Sequence, residues 1–179
     1  MQIKLQEVEI TAFLFRMPSG IPGATNRAEH LTIEAGLPLV GFLPPGYGLP
    51  LAIDAPTGRY RAVVGTDTAP MIVGMFVRPY PTTSFGTASD GLGTIVNFGN
   101  YAGVINVMRR GYMTVLLGGA AAAAKGGTVY VRIAVPAAGK PIGGLEAASD
   151  TVNTVALPNT WYFMGPADAQ GNAEISVNI

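Results

Sequence analysis

Apolar and polar residues alternate at period two most clearly in the last third of the chain. In Thr128–Val135 (TVYVRIAV), Val129, Val131, Ile133 and Val135 fall on one face, and Thr128, Tyr130, Arg132 and Ala134 on the other. That is the pattern of a half-buried strand with β-branched residues inward. In the closing EISVNI, Ile175, Val177 and Ile179 share a face, which predicts a terminus tied into a sheet. Tyr112–Leu117 (YMTVLL) predicts a further strand, joined to 128–135 through GGAAAAAKGG. The five alanines fall short of the roughly dozen residues an isolated helix needs, so this connection reads as a hairpin tip with at most one helical turn. GPADAQGNA carries turn chemistry between Trp161–Met164 and the last strand and predicts a hairpin. Within Trp161-Tyr162-Phe163, neighbours on a strand point to opposite faces. Trp161 and Phe163 therefore share one face, expected in the core, and Tyr162 takes the other.

The first half is less regular. Ile3 and Leu5 alternate, then Val8 and Ile10 in the opposite phase, as a bulge near Gln6-Glu7 would produce. Short strands are predicted at 50–54, 59–64 and 71–78, an Asp-Gly turn within 88–93, and strand material with a glycine bend over 94–110. Residues 17–26 and 38–50 are dense in Pro and Gly and read as extended loops or arms. Together these patterns predict an all-β chain. It has one domain over 1–179, with an extended arm-like segment at about 1–50 and a β body at about 51–179.

Composition narrows the classes of partner. Eleven basic and eleven acidic residues cancel, and charged residues are 12% of the chain, about half the usual ~25%. Such a chain is poorly equipped to track nucleic-acid phosphates, and its surface suits coverage by neighbours. The absence of cysteine excludes disulfides and thiolate metal sites. No run approaches the ~20 apolar residues of a membrane-spanning helix, and the N-terminus lacks the pattern of a signal peptide.

No catalytic, cofactor-binding or metal-binding group assembles from the remaining residues. His30 is the only histidine, and none of the five serines sits in a Gly-x-Ser-x-Gly elbow. The glycines around Lys125 miss the phosphate-loop pattern, because Ala124 precedes the lysine and Gly126 follows it. Asp54, Asp67, Asp90 and Glu146 lie near turn residues, where capping roles are common, and Asp150, Asp168 and Glu174 are too scattered for a calcium loop. Four residues are candidates for partner contact. Arg27 ends the Pro/Gly segment 18–27, Arg109-Arg110 is the only adjacent basic pair, and Tyr162 faces away from its aromatic neighbours. The arginine pair serves either an acidic patch on a partner or a solvated strand end.

Several segments resemble one family. RRGYM (109–113), KGGTVYVR (125–132), IGGLEAA (142–148), NTVALPN (153–159), GPAD (165–168) and the final EISVNI are similar to recurring elements of the structural cement proteins of tailed bacteriophages. YGLPLAIDAPTGRYR (47–61), GMFVRPYP (74–81) and the segment 18–27 add to the likeness, which weakens over the first sixteen residues and over 82–105. The resemblance implies a β-barrel or jelly-roll-like sandwich body, no enzymatic activity and no cofactor. It implies a protein made in the host bacterial cytoplasm that binds the outer surface of the virion capsid. There it would bridge major capsid protein subunits and associate with copies of itself as a dimer or trimer, without direct nucleic-acid or membrane contact. Two other classes stay open on the residues: a virion-surface carbohydrate-binding module using exposed aromatics, and a β-sandwich hydrolase with a carboxylate pair.

Overall fold

The computed structural model describes residues 20–41, 44–78, 103–119 and 121–179. The predicted alternation at 3–10, the arm before Gly20, the Asp-Gly turn within 88–93 and the strand material over 94–102 lie outside them. The described residues form ten strands: β1 (Thr32–Gly36), β2 (Pro50–Asp54), β3 (Arg59–Ala62), β4 (Ile72–Phe76), β5 (Ile105–Leu116), β6 (Tyr130–Arg132), β7 (Leu145–Glu146), β8 (Thr154–Ala156), β9 (Tyr162–Phe163) and β10 (Asn172–Val177). All strand pairs are antiparallel, and the architecture is sandwich-like rather than a closed barrel.

The twelve-residue β5 is the spine. Its first half pairs with β1 on one edge and β4 on the other; its second half pairs with β10. The larger sheet therefore runs β3-β2-β4-β5-β10-β9, with β1 branching from β5. The change of partners falls at Gly111, whose φ is +139°. A Cβ there would lie 2.9 Å from a Leu31 methyl and 3.1 Å from Met108 Sδ, so only glycine fits without displacement.

Period-two patterning decides the interior. In register across three strands, Met113, Ile175 and Phe163 face inward, while Tyr112, Ser176 and Tyr162 face the other way. Trp161 and Phe163 are each 1% exposed and Tyr162 is half-buried, as alternation predicts. The β9–β10 hairpin forms as expected, closed at Asp168, whose carboxylate accepts from the N–H groups of Gln170 and Asn172. The main core joins this sheet to a smaller one, β7-β6-β8, through Met113, Val115, Val131, Leu145, Trp161 and Ile175. A second cluster, Leu51, Tyr60, Phe76, Ile105 and Val107, fills the β1–β4 end.

Two expectations are corrected. The 112–117 and 128–135 strands are not a hairpin: β5 and β6 lie in different sheets, and the alanine-rich connection crosses between them. Ala121–Ala124 is not helical, and Ala123 enters the core at 5% exposure, a place a small apolar side chain fills without strain. The strand predicted to Val135 also stops at Arg132. Arg132 is buried and Val135 is 65% exposed with φ +46°, the reverse of the expected facing. The cause is electrostatic. The buried Arg132 guanidinium is held by Glu146, by Asp150 at the rim and by the carbonyls of Ala134 and Val135, bonds that need the chain to turn after Arg132.

The Pro/Gly-rich stretch lies extended against the body where it is described. Gly23 and Asn26 donate to the carbonyls of Thr114 and Tyr112, and the Thr114 N–H donates to Ala24, continuing the ladder along the second half of β5. Gly23 and Gly48 meet backbone to backbone: a Cβ on Gly23 would lie 2.5 Å from Tyr47 Cβ, and one on Gly48 would lie 2.6 Å from Gly23 N.

Candidate interaction surface

Many ionisable side chains of the described residues are paired with one another, and Arg61, Asp67, Arg132, Glu146 and Glu174 are buried. Arg61 and Asp67 form a two-pronged pair with both contacts at 2.7 Å, and Asp67 also accepts from the Val64 N–H at 2.8 Å. Burial alone would push the Asp67 carboxyl up; its bonds to Arg61 and Val64 outweigh that and hold it below the usual carboxylate range. Arg132 donates to Glu146 and Asp150, both at 2.6 Å, and Lys140 reaches the second Glu146 oxygen at 2.7 Å. Burial likewise raises the Glu146 carboxyl, and the hydrogen bonds from Arg132 and Lys140 bring it below its ordinary value. Asp54 caps a turn, accepting from Thr57 Oγ1 at 2.5 Å. The carboxylates suspected of turn or capping roles thus have structural partners, and those at Asp67 and Glu146 are buried ion pairs, which spacing alone did not reveal. Asp90 lies outside the described residues.

The four candidate contact residues do not form one site: Arg27 and Tyr162 share a face around β10, and Arg109 and Arg110 lie further along β5. Arg27 lies over the Tyr112 ring at 4.5 Å and grips Glu174 through Nε (3.1 Å) and Nη2 (2.8 Å). Asn26 donates to the same carboxylate, so the end of the Pro/Gly segment is tied to β10. Tyr162 shares that face of the sheet, two strands away from Tyr112 across Ser176. Arg109 sits near the other end of β5, where its Nη1 donates to Tyr60 Oη at 3.0 Å and lies 3.6 Å from Glu34 Oε1. Tyr60 in turn donates to Glu34. Burial first, and then the bond to Glu34, raise the Tyr60 hydroxyl above its ordinary range. Arg110 is exposed opposite Thr32 and makes no ion pair among the described residues. His30 is exposed in a left-handed turn with φ +58°. The pattern-based reading missed β1 itself and the Glu34–Tyr60–Arg109 cluster. Ile33 and Ala35 between His30 and Gly36 were the available signal.

What the surface offers instead is apolar. Ile33 (41% exposed), Leu37, Val104, Leu116, Val135 and Val152 all face outward. A groove of about 300 Å³ runs between the Pro/Gly loops, lined by Pro22, Pro45, Tyr47, Leu116 and Pro141, with Arg78 lying 4.8 Å over the Tyr47 ring. Among the described residues no cluster of His, Cys, Asp and Glu could hold a metal ion, and no helix is long and apolar enough to cross a membrane.

The family model of the XM1 gp53 minor capsid protein matches residues 10–177, nearly the whole chain. The chain belongs to the XM1 gp53 minor capsid protein family. The fold agrees. A chain of the solved capsid of Myoviridae phage XM1 superposes with a TM-score of 0.66 at 21% identity, covering 94% of this chain and 96% of that one. No curated protein matches. Membership makes this a capsid-associated structural protein of the virion.

Proposed function

We propose that the protein is a cement or decoration protein: it binds the outer surface of a phage capsid and stabilises the shell by bridging neighbouring major capsid protein subunits, together with further copies of itself. The observation that supports this best is the surface just described. Five arginines and lysines and five carboxylates are paired within the chain, and branched apolar side chains are left outside. The outward-facing apolar side chains favour burial against a neighbour, and paired charges leave fewer unpartnered ions to desolvate there. Each contact need not be strong, since many copies on one lattice add their affinities. Trp161, 1% exposed with its indole N–H donating to Asn178 Oδ1 at 2.8 Å, is unavailable for sugar stacking, so the carbohydrate-binding alternative loses its main platform.

The test is reconstitution on capsids that lack the protein. Stoichiometric, symmetry-related density outside the shell and a higher disruption temperature are expected. Absence of binding, or binding that leaves heat resistance unchanged, defeats the cement role. Deleting residues 1–19 separates the arm from the body without touching the Gly23–Asn26 bonds to β5. A bridging arm predicts loss of heat protection by that variant; full protection assigns bridging to the body.

A further inference from the structure

Thr114, Glu174 and Ser176 alternate away from the main core, onto the face of the larger sheet that carries Tyr112 and Tyr162. They are nonetheless buried, at 0, 7 and 0% exposure. Two of the three are accounted for. Thr114 Oγ1 donates to Asn26 Oδ1 at 3.0 Å, and the Glu174 carboxylate accepts from Asn26 and Arg27. Ser176 is not. It lies in register between Tyr112 on β5 and Tyr162 on β9. Its Oγ is the one buried side-chain polar atom among the described residues that lacks a hydrogen-bond partner. A hydroxyl on an outward sheet face ordinarily keeps water, so its burial marks a face that is covered.

The chain itself runs onto this face. A Cβ on Gly20 would lie 3.1 Å from Thr114 Oγ1 and 3.7 Å from Asn26 Oδ1, so the nineteen residues before Gly20 start from directly over Thr114. From Thr114 to Tyr162 is two strand spacings across and two residues along, roughly 12 Å, which about four extended residues span. Residues 13–17 read FLFRM. An extended backbone sets Phe13, Phe15 and Met17 on one side and Leu14 and Arg16 on the other. We infer that the first nineteen residues form a strap across the outer face of β5, β10 and β9, with Phe13, Phe15 and Met17 packed down over Tyr112, Ser176 and Tyr162. The strap's backbone carbonyls supply the acceptor that Ser176 lacks, and its apolar side shields the two half-buried tyrosine rings. Seating it leaves no carboxylate stranded, because Glu174 is already paired with Arg27 on that face. Arg27, which lies over the Tyr112 ring, and Tyr162 then belong to the strap's seat rather than to a contact with another protein. The inference does not rest on the capsid-binding reading.

The experiment is tyrosine nitration by tetranitromethane, read at each residue by mass spectrometry, in the free chain and in a variant lacking residues 1–19. Deletion is expected to raise the rate at Tyr162 about fivefold or more and to leave Tyr130, half-buried on the smaller sheet, unchanged. Phe15→Asp in the whole chain should raise Tyr162 alone in the same way, to a lesser degree. Equal rates at Tyr162 with and without residues 1–19 overturn the inference. So does a rise shared equally by Tyr130, which reports general loosening. Protection of Tyr162 that disappears on dilution makes a second copy the occupant and overturns the assignment to the chain's own strap. If the deletion variant fails to fold, Phe15→Asp decides alone, and an unchanged Tyr162 overturns the inference. No capsid enters the measurement, so each of these outcomes leaves the capsid role as it stands.

Discussion

Arg132 is the most exacting point at which to test the account of the interior. Its side chain is 2% exposed and donates to Glu146, Asp150 and the Val135 carbonyl at 2.6, 2.6 and 2.9 Å. Arg132→Met keeps much of the volume but leaves the Glu146 carboxylate, 3% exposed, facing Lys140 alone. Removing one partner of a buried pair costs roughly 3–5 kcal/mol. Lys140 retains part of the compensation, which places the loss near the lower end, at about 3 kcal/mol. That is a large share of the ~5–15 kcal/mol by which domains are stable. In urea unfolding the midpoint should fall by about 1–2 M with the slope unchanged. Arg132→Met combined with Glu146→Leu should recover most of the loss, because the stranded charge is gone. Asp150→Asn, at a site 41% exposed, should cost much less than Arg132→Met. The reasoning is refuted if Arg132→Met alone costs under about 1 kcal/mol, or if the double variant is no more stable than the single.

Three further outcomes are expected. Trp161→Ala removes a side chain at 1% exposure and should cost about 3–5 kcal/mol in denaturant unfolding; the native fluorescence should be blue-shifted and resist iodide. Asp67, Glu146, Asp150 and Asp168 all have carboxyls held below their ordinary range in the folded state. They contribute stability above their unfolded values of about 4 and lose it as pH falls through the folded ones, so the urea midpoint should hold from neutrality to about pH 5 and then drop; a midpoint that rises on acidification contradicts this. Gly23→Ala places a Cβ 2.5 Å from Tyr47 Cβ at a φ of +84° and should lower stability by about 2 kcal/mol or more, measured by thermal and urea unfolding.

Alternation made the C-terminal sheet legible. Trp161 and Phe163 inward, Tyr162 outward, and the 162–177 hairpin follow from side chains taking opposite faces at successive residues, a property of the local backbone. Arg132 escaped the same logic, because local alternation sets it outward and only carboxylates from β7 and the 150–153 turn make an interior place tolerable. β1 is marked in the sequence only by the short alternation of Ile33 and Ala35 with Thr32 and Glu34, and all four are exposed, so no buried face reinforces it. Of the candidate contact residues, Arg27 is tied to Glu174 and Arg109 to Glu34, partners 147 and 75 positions away in the chain that no local pattern marks.

By itself the sequence determined an all-β chain of low charge, without cysteine, and a likeness to capsid cement proteins. It did so because composition and period-two alternation are properties of neighbouring residues. The tertiary structure alone decided a sandwich-like arrangement over a barrel, a crossover over a hairpin at the alanine run, and the pairing of β1 with β5. Those depend on which distant strands pair along β5, and strand pairing is a contact between segments whose separation in the chain carries no local mark.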